Sequence, residues 1–250
     1  MARVPSTLVS SPAGRPATLL LLIRHAEQVD LLEPDPELSP RGRLQAQLLA
    51  GRLDGLGLTA VVSSRLQRAV QTAEAVCDRC ELPLEVVPDL EEVHLGPTAR
   101  ANLRERADEV AEGTDRGLRT RRSAVTPSMR WEMLGDAESG QSARTRGLRA
   151  LERILEAHRG GVVACISHGG LINAATYPGE LSQAPGDLWF LPWHTGITAL
   201  RDDGRGRILI SVNDASHLDL GEDPLSVFAH VASRRLAAAK EAPATTPRPA

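Results

Sequence analysis

Aromatic side chains are scarce in this chain: its 250 residues include two Phe, one Tyr and three Trp. The core must therefore be assembled from Leu, Val, Ile and Ala. Net positive charge is missing as well. The formal net charge of −3 excludes broad attraction to nucleic acid or to an anionic membrane, so any anion must be held locally by a few placed arginines. Cysteine is sparse, with Cys77, Cys80 and Cys165 only. Cys77 and Cys80 form a CxxC, but no second CxxC or pair of His ligands accompanies it, and it lies inside a helix-like run rather than opening one. It reads as two unpaired helix thiols rather than a zinc or redox site, and no metal or cofactor is expected. An odd, sparse cysteine count fits a reducing compartment, and the cytoplasm is the expected location. Long apolar runs are absent too. The run at residues 19–23 follows Pro5, Pro12, Gly14 and Pro16, is far shorter than the core of a secretory signal, and nothing approaches a membrane span.

What is present is ordinary for a globular chain: 42% hydrophobic and 24% charged residues, over a length that suits one large domain or two small ones. Residues 1–17 and 237–250 are rich in Pro, Ala, Ser and Thr and read as flexible tails around a single domain at 18–236. Within it, strand-like and helix-like segments alternate, which implies an α/β sheet. Residues 18–23 and 162–166 are apolar throughout, as strands buried on both faces are. Shorter strands are expected at 60–63 and 84–87, with an edge pair at 197–200 and 208–212 flanking Asp203 and Gly204. Ser39 and Pro40 open a helix expected to turn Leu44, Leu48 and Leu49 inward and to stop near Gly55 and Gly57. Leu66, Ala69, Val70, Ala73, Val76 and Cys77 line a second helix, and Leu148, Leu151, Ile154 and Leu155 a third. Residues 97–136 are polar, rich in Arg and Glu, and read as a largely helical insertion or lid.

Three polar clusters follow buried strands: Arg24 and His25; Ser63 and Ser64 with Arg68 in the next helix; and Ser167, His168, Gly169 and Gly170. Ligands of open α/β sheets bind beyond the carboxyl ends of strands, where helix N-termini favour anions. Two arginines and two histidines can thus converge on one pocket, and the planar Arg fork suits bidentate phosphate binding. Each cluster alone has a plain structural reading: a histidine after a strand is usually structural, and Ser-His-Gly-Gly is a serviceable strand-to-helix turn.

Leu22-Ile23-Arg24-His25-Ala26-Glu27 resembles the signature of the histidine phosphatase superfamily, which includes phosphoglycerate mutases. Ser63-Ser64-Arg65-Leu66-Gln67-Arg68-Ala69 with Gln71-Thr72-Ala73 is similar to the family's second block, and Leu90, Glu92 and Gly96 have the spacing of the block that carries the general acid. Glu138-Ser139 resembles a further marker, Ser167-His168-Gly169-Gly170 the second histidine block, and residues 213–218 the usual C-terminal segment. The resemblance runs over residues 18–220 in order. It implies a three-layer α/β/α sandwich with a mainly parallel central sheet and a helical insertion.

It also implies roles. His25 becomes a phosphohistidine, Arg24 and Arg68 hold phosphoryl oxygens with His168 and the Gly169 turn, and Glu92 serves as acid and then base. Glu92 is preferred to Glu91 because only Glu92 has the family's spacing to Gly96. The chemistry requires a neutral His25 whose other ring nitrogen finds an acceptor, expected to be a backbone carbonyl. Departures are Ala26 for the usual Gly, and Leu31 where a phosphate-binding Asn is common. Gln28 is the nearest polar replacement, unless it is a surface residue. Val93 stands where the mutases have Arg after the acid, which argues against a phosphoglycerate-type mutase. His94 matches and either reaches the pocket or caps the loop. The expected function is hydrolysis of a small phosphomonoester by a monomer or homodimer, with no nucleic acid or membrane partner. The alternatives are a non-catalytic phosphate-binding or regulatory module and a mutase. Arg116, Arg119, Arg121 and Arg122 in the insertion are either a solvated face or a lid over an anionic substrate, and Trp131, Trp189 and Trp193 either pack or line the mouth.

Overall fold

The computed structural model describes residues 16–30, 33–102, 135–176, 190 and 192–218. Strand β1 (Thr18–Arg24) is buried over nearly its whole length because it lies inside the sheet. It pairs in parallel with β4 (Val162–Ser167), with Leu22 opposite Cys165, and antiparallel with β5 (Ile197–Asp202), with Leu20 opposite Leu200. Including β2 (Ala60–Ser63), β3 (Leu84–Val86) and β6 (Arg207–Asp214), the strand order is β3-β2-β4-β1-β5-β6. The first four strands are parallel, and β5 and β6 extend the sheet antiparallel.

Alternation along β1 builds both sides of the core. Leu19, Leu21 and Ile23 pack with Leu49, Leu53, Ala73 and Val76 of helices α1 (Pro40–Leu53) and α2 (Gln67–Cys80). Leu20 and Leu22 face Leu151, Ile154, Leu171 and Ile172 of α3 (Gly140–Ala157) and α4 (Gly169–Thr176). Two helices on each face of the sheet make the three layers. No helix among the described residues is long and apolar enough to cross a membrane.

Helix α1 departs from expectation in its rotation. Ser39 is the N-cap, accepting from the Gly42 amide, and Pro40 opens the helix, but Leu44 and Leu48 are exposed and Leu49 alone of the three is buried. Gly42, Gln45, Ala46, Ala50 and Leu53 share the inward face. The reason is a close approach: a Cβ on Gly42 would overlap the carbonyl oxygen of Glu27, so the helix must turn its glycine toward that backbone. In α2 the pattern holds, with Ala69, Ala73 and Val76 buried. Burial pushes its Cys77 thiol up to about 11 and raises Cys80, which disfavours the reactive thiolate.

Of the insertion, residues 97–102 are helical. Asp136 clasps its two ends together, accepting from the amides of Thr98 and Ala99 while its own carbonyl accepts from Gly96. The Arg116–Arg122 group, Trp131, Trp189, Leu31, most of the expected N-terminal tail (residues 1–15) and the whole C-terminal tail lie outside the described residues.

Candidate active site

The sheet registers decide which side chains meet. Arg24 stands opposite Ser167 and Ser63 opposite Ile166, so β1, β2 and β4 end level. The His25 amide donates to the Ser167 carbonyl at 2.9 Å and the Ser64 amide to that of Ile166 at 3.1 Å. His25, Ser64 and His168 therefore emerge side by side, and the imidazole centroids of His25 and His168 are 4.9 Å apart.

His25 is 3% exposed. Its Nδ1–H donates to the Ala26 carbonyl at 2.7 Å, which assigns the lone pair to Nε2. Ala26 is itself held, since its amide donates to Thr72 Oγ1, whose hydroxyl donates to the Arg68 carbonyl. Arg68 Nε then donates to His25 Nε2 at 3.2 Å. Burial, reinforced by His168, Arg68, Arg24 and His194, keeps the imidazole well below its ordinary value of 6.5. It is thus neutral at pH 7.

His168 is fully buried. Its Nε2 lies 2.8 Å from Ser64 Oγ, which also accepts from the Leu66 amide at 3.4 Å. A Ser64 hydroxyl that donates to Nε2 puts the N–H of His168 on Nδ1, an atom that is buried with no partner among the described residues. Burial, Arg68, Arg24 and Arg146 hold this ring, too, well below 6.5. Arg24 donates to the Pro192 carbonyl at 2.8 Å and runs beside Gly169. Burial first, with the push of Arg68 and against the pull of Glu92, lowers its guanidinium to about 10. Arg68 Nη1 is buried and has no partner among the described residues. One neutral imidazole is thus surrounded by cations and by N–H groups with unused donor capacity.

The acidic run at residues 89–92 is sorted by its surroundings. Glu91 is 5% exposed and turns to Arg65, with which it is ion-paired, and to His94 Nε2 at 3.5 Å. Glu92 turns the other way. Its Oε2 accepts from the Gly170 amide at 3.2 Å, and its Oε1 from Leu171 at 3.2 Å and Val93 at 2.9 Å. A Cβ on Gly170 would come within 2.5 Å of Oε1, so this carboxylate sits at the start of α4 only because that position is glycine. Its charge is felt by both Arg24 and Arg68.

The Glu92 loop is fixed by a residue that sequence reasoning passed over. Arg146 of α3 donates from Nη1 to the carbonyls of Asp89 and Glu91, both at 2.9 Å, and from Nη2 to that of Glu92 at 3.2 Å. Its remaining donors grip Glu138, with Nη2 at 2.7 Å and Nε at 3.2 Å. Burial alone would raise the Glu138 carboxyl, but Arg146 and the His94 amide hold it below its usual range. The signal available was the seven-residue interval from Ser139, the α3 N-cap, which places Arg146 two turns along the helix.

Other expectations find their places. Gln28 forms an isolated bridge with Leu38, and its Oε1 is buried with no partner among the described residues. His94 is 59% exposed and lies between Glu91 and Glu138, so it braces the loop rather than joining the histidines. Trp193 is partly buried, its amide donating to Asn213 Oδ1 at 2.7 Å. A third imidazole, His194, approaches His25 with a centroid distance of 5.7 Å. Nothing in the sequence marked it, since it precedes a strand rather than following one.

Known proteins share this arrangement of chain. The family described as the histidine phosphatase superfamily (branch 1) matches residues 20–215. A metal-independent phosphoserine phosphatase of Arabidopsis thaliana is 30% identical over 211 residues, covering 80% of this chain and 83% of that protein. The structure of a mycobacterial glucosyl-3-phosphoglycerate phosphatase complexed with VO3 superposes with a TM-score of 0.61 at 25% identity, covering 79% of this chain and 99% of the other. A phosphoglycerate mutase from Bacillus anthracis shares the fold, with a TM-score of 0.65 at 20% identity over 81% of this chain and 96% of its own.

Proposed function

This chain belongs to the histidine phosphatase superfamily, branch 1, and on that premise we propose that it hydrolyses a small phosphomonoester without a metal ion, through a phosphohistidine on His25. The observation that supports this most is the His25 tautomer: Nδ1–H is committed to the Ala26 carbonyl and Nε2 faces Arg68. Nε2 attacks phosphorus in line while the bond to the leaving oxygen breaks. Arg24, Arg68 Nη1 and His168 Nδ1–H donate to the oxygens of the transferring group, where charge spreads in the transition state, and Gly169 leaves room for its approach. Gln28, three residues after His25, is a further candidate donor to the phosphoryl group. Protonated Glu92 gives its proton to the leaving oxygen. As carboxylate it then takes a proton from the water that attacks the phosphohistidine, which returns His25 to its neutral form.

Val93 favours hydrolysis over a mutase reaction. It is 4% exposed and packs toward Gly170, so the position after the acid brings no charge to a second anionic group of the substrate. The free thiols of Cys77, Cys80 and Cys165 support a reducing cytoplasmic location, and a small phosphorylated metabolite is the only partner the reaction needs. The test is rapid quench of the full chain with 32P-labelled substrate in EDTA. We expect an acid-labile, base-stable phosphoenzyme that His25→Ala abolishes together with turnover. Undiminished labelling of the His25 variant would overturn the assignment, as would dependence on added Mg²⁺.

A further inference from the structure

In the strand order β4-β1-β5, the strand that carries His25 has a neighbour on each side. β4 runs parallel to β1, so its end reaches the active edge and delivers His168. β5 runs antiparallel, so its beginning reaches the same edge, and the residue two positions before Gly196 is delivered there too. The result is near-symmetrical: the rings of His168 and His194 lie 4.9 and 5.7 Å from that of His25, tilted by 51° and 50°.

The turn that presents His194 is held from several sides. The Thr195 amide donates to the Arg24 carbonyl at 2.8 Å, and the Arg24 amide donates to the Gly196 carbonyl at 3.3 Å. Asn213 Oδ1 accepts from the Trp193 amide, and the Thr195 hydroxyl pairs with His217 Nε2 at 2.9 Å. Thr195 itself has φ of 59°, a left-handed backbone that strains a β-branched residue and persists only where its surroundings impose it. This strain is spent directly beside His25. The His194 Nε2 so placed is buried and has no hydrogen-bond partner among the described residues. Arg68 Nη1 and His168 Nδ1 share that condition, and all three belong to side chains grouped around His25. A phosphoryl group in transfer offers three equatorial oxygens, each able to accept more than one hydrogen bond, which leaves room for all three donors beside Arg24.

We propose that His194 is a third phosphoryl-binding histidine, whose Nε2–H donates to an oxygen of the group that His25 receives. The inference rests on the phosphatase reading but is separable from it. His194 adds a neutral donor where Arg24 already supplies charge, so it strengthens binding of the anion without burying a further cation beside His25.

The test compares His194→Phe, which keeps a ring without nitrogen, with His194→Gln, which keeps an amide donor. Calorimetric binding of inorganic phosphate to the full chain at pH 7.5 should weaken by about 10–100-fold in the Phe variant, the loss expected for one hydrogen bond to an anion. The Gln variant should recover part of it. Long-range 1H–15N spectra of the wild type should show the His194 Nε2 signal move on adding phosphate, a readout independent of how well the Phe variant folds. An unchanged phosphate Kd in a folded Phe variant, or an unmoved Nε2 signal, would overturn the proposal while leaving His25-dependent turnover intact. A wild type that neither binds phosphate nor hydrolyses p-nitrophenyl phosphate would overturn both readings.

Discussion

Replacing Arg146 with Met should disable Glu92 without touching the substrate. The Arg146 and Glu138 side chains are 12% and 9% exposed, so the variant strands a nearly buried carboxylate and leaves the carbonyls of Asp89, Glu91 and Glu92 without their common donor. Breaking a buried pair by removing one partner costs about 3–5 kcal/mol. Glu138 keeps its bonds from the His94 amide and Ser142 Oγ, which places the loss near the lower end, about 3 kcal/mol, in urea unfolding. The double variant Arg146→Met/Glu138→Gln should lose less than Arg146→Met alone, because no charge is left buried and unpaired. Arg146→Lys separates stability from chemistry, since an ammonium can pair with Glu138 but cannot fork to three carbonyls as well. The assay is single-turnover phosphorylation of His25 from a sugar phosphate and from p-nitrophenyl phosphate. A general acid contributes about 10²–10⁴-fold where the leaving group needs its proton. The Lys variant should therefore lose much of that factor with the sugar phosphate and little with the nitrophenyl ester, while regaining stability. Equal losses with both esters, or full activity of the Lys variant, would refute the claim that Arg146 acts through Glu92.

Acid should destabilise the fold through its neutral histidines. His25, His168 and His194 all have folded values well below 6.5, chiefly through burial, so below pH 6.5 the unfolded chain binds protons that the folded chain refuses. Their contribution is complete above pH 6.5 and is lost as pH falls, by about 1.4 kcal/mol per pH unit for each histidine until its folded value is reached. Urea midpoints at pH 7.5, 6.5 and 5.5 should fall in that order, and a flat profile would contradict the burial of these rings as neutral groups. Gly42→Ala should cost about 1–3 kcal/mol by overpacking against the Glu27 carbonyl, and it should slow turnover because Glu27 lies two residues past His25. A thermal melt and rate equal to wild type would show that α1 can rotate freely.

The apolar runs of β1 and β4 marked strands buried on both faces because helices cover both sides of the sheet, and a run of residues records burial directly. The polar residues immediately after those strands were legible as a site for the same local reason, since chain direction determines which end of a parallel strand they occupy. The α1 face was misread because periodicity saw Leu44 and Leu48 but not the backbone of Glu27, which Gly42 must touch. His194 and Arg146 were invisible in the sequence for a related reason. Whether the start of β5 lies beside the end of β1 depends on an antiparallel pairing across more than 170 residues, and the grip of Arg146 on the Glu92 loop joins segments 54 to 57 residues apart. The Nδ1 acceptor of His25 was foreseen as a backbone carbonyl, yet only the geometry singles out Ala26. Local sequence determined which segments are strands and helices and which polar residues stand at strand ends; the pairing of distant strands decided which of those residues meet at one place, because register and neighbour order are set by packing between segments that no local pattern encodes.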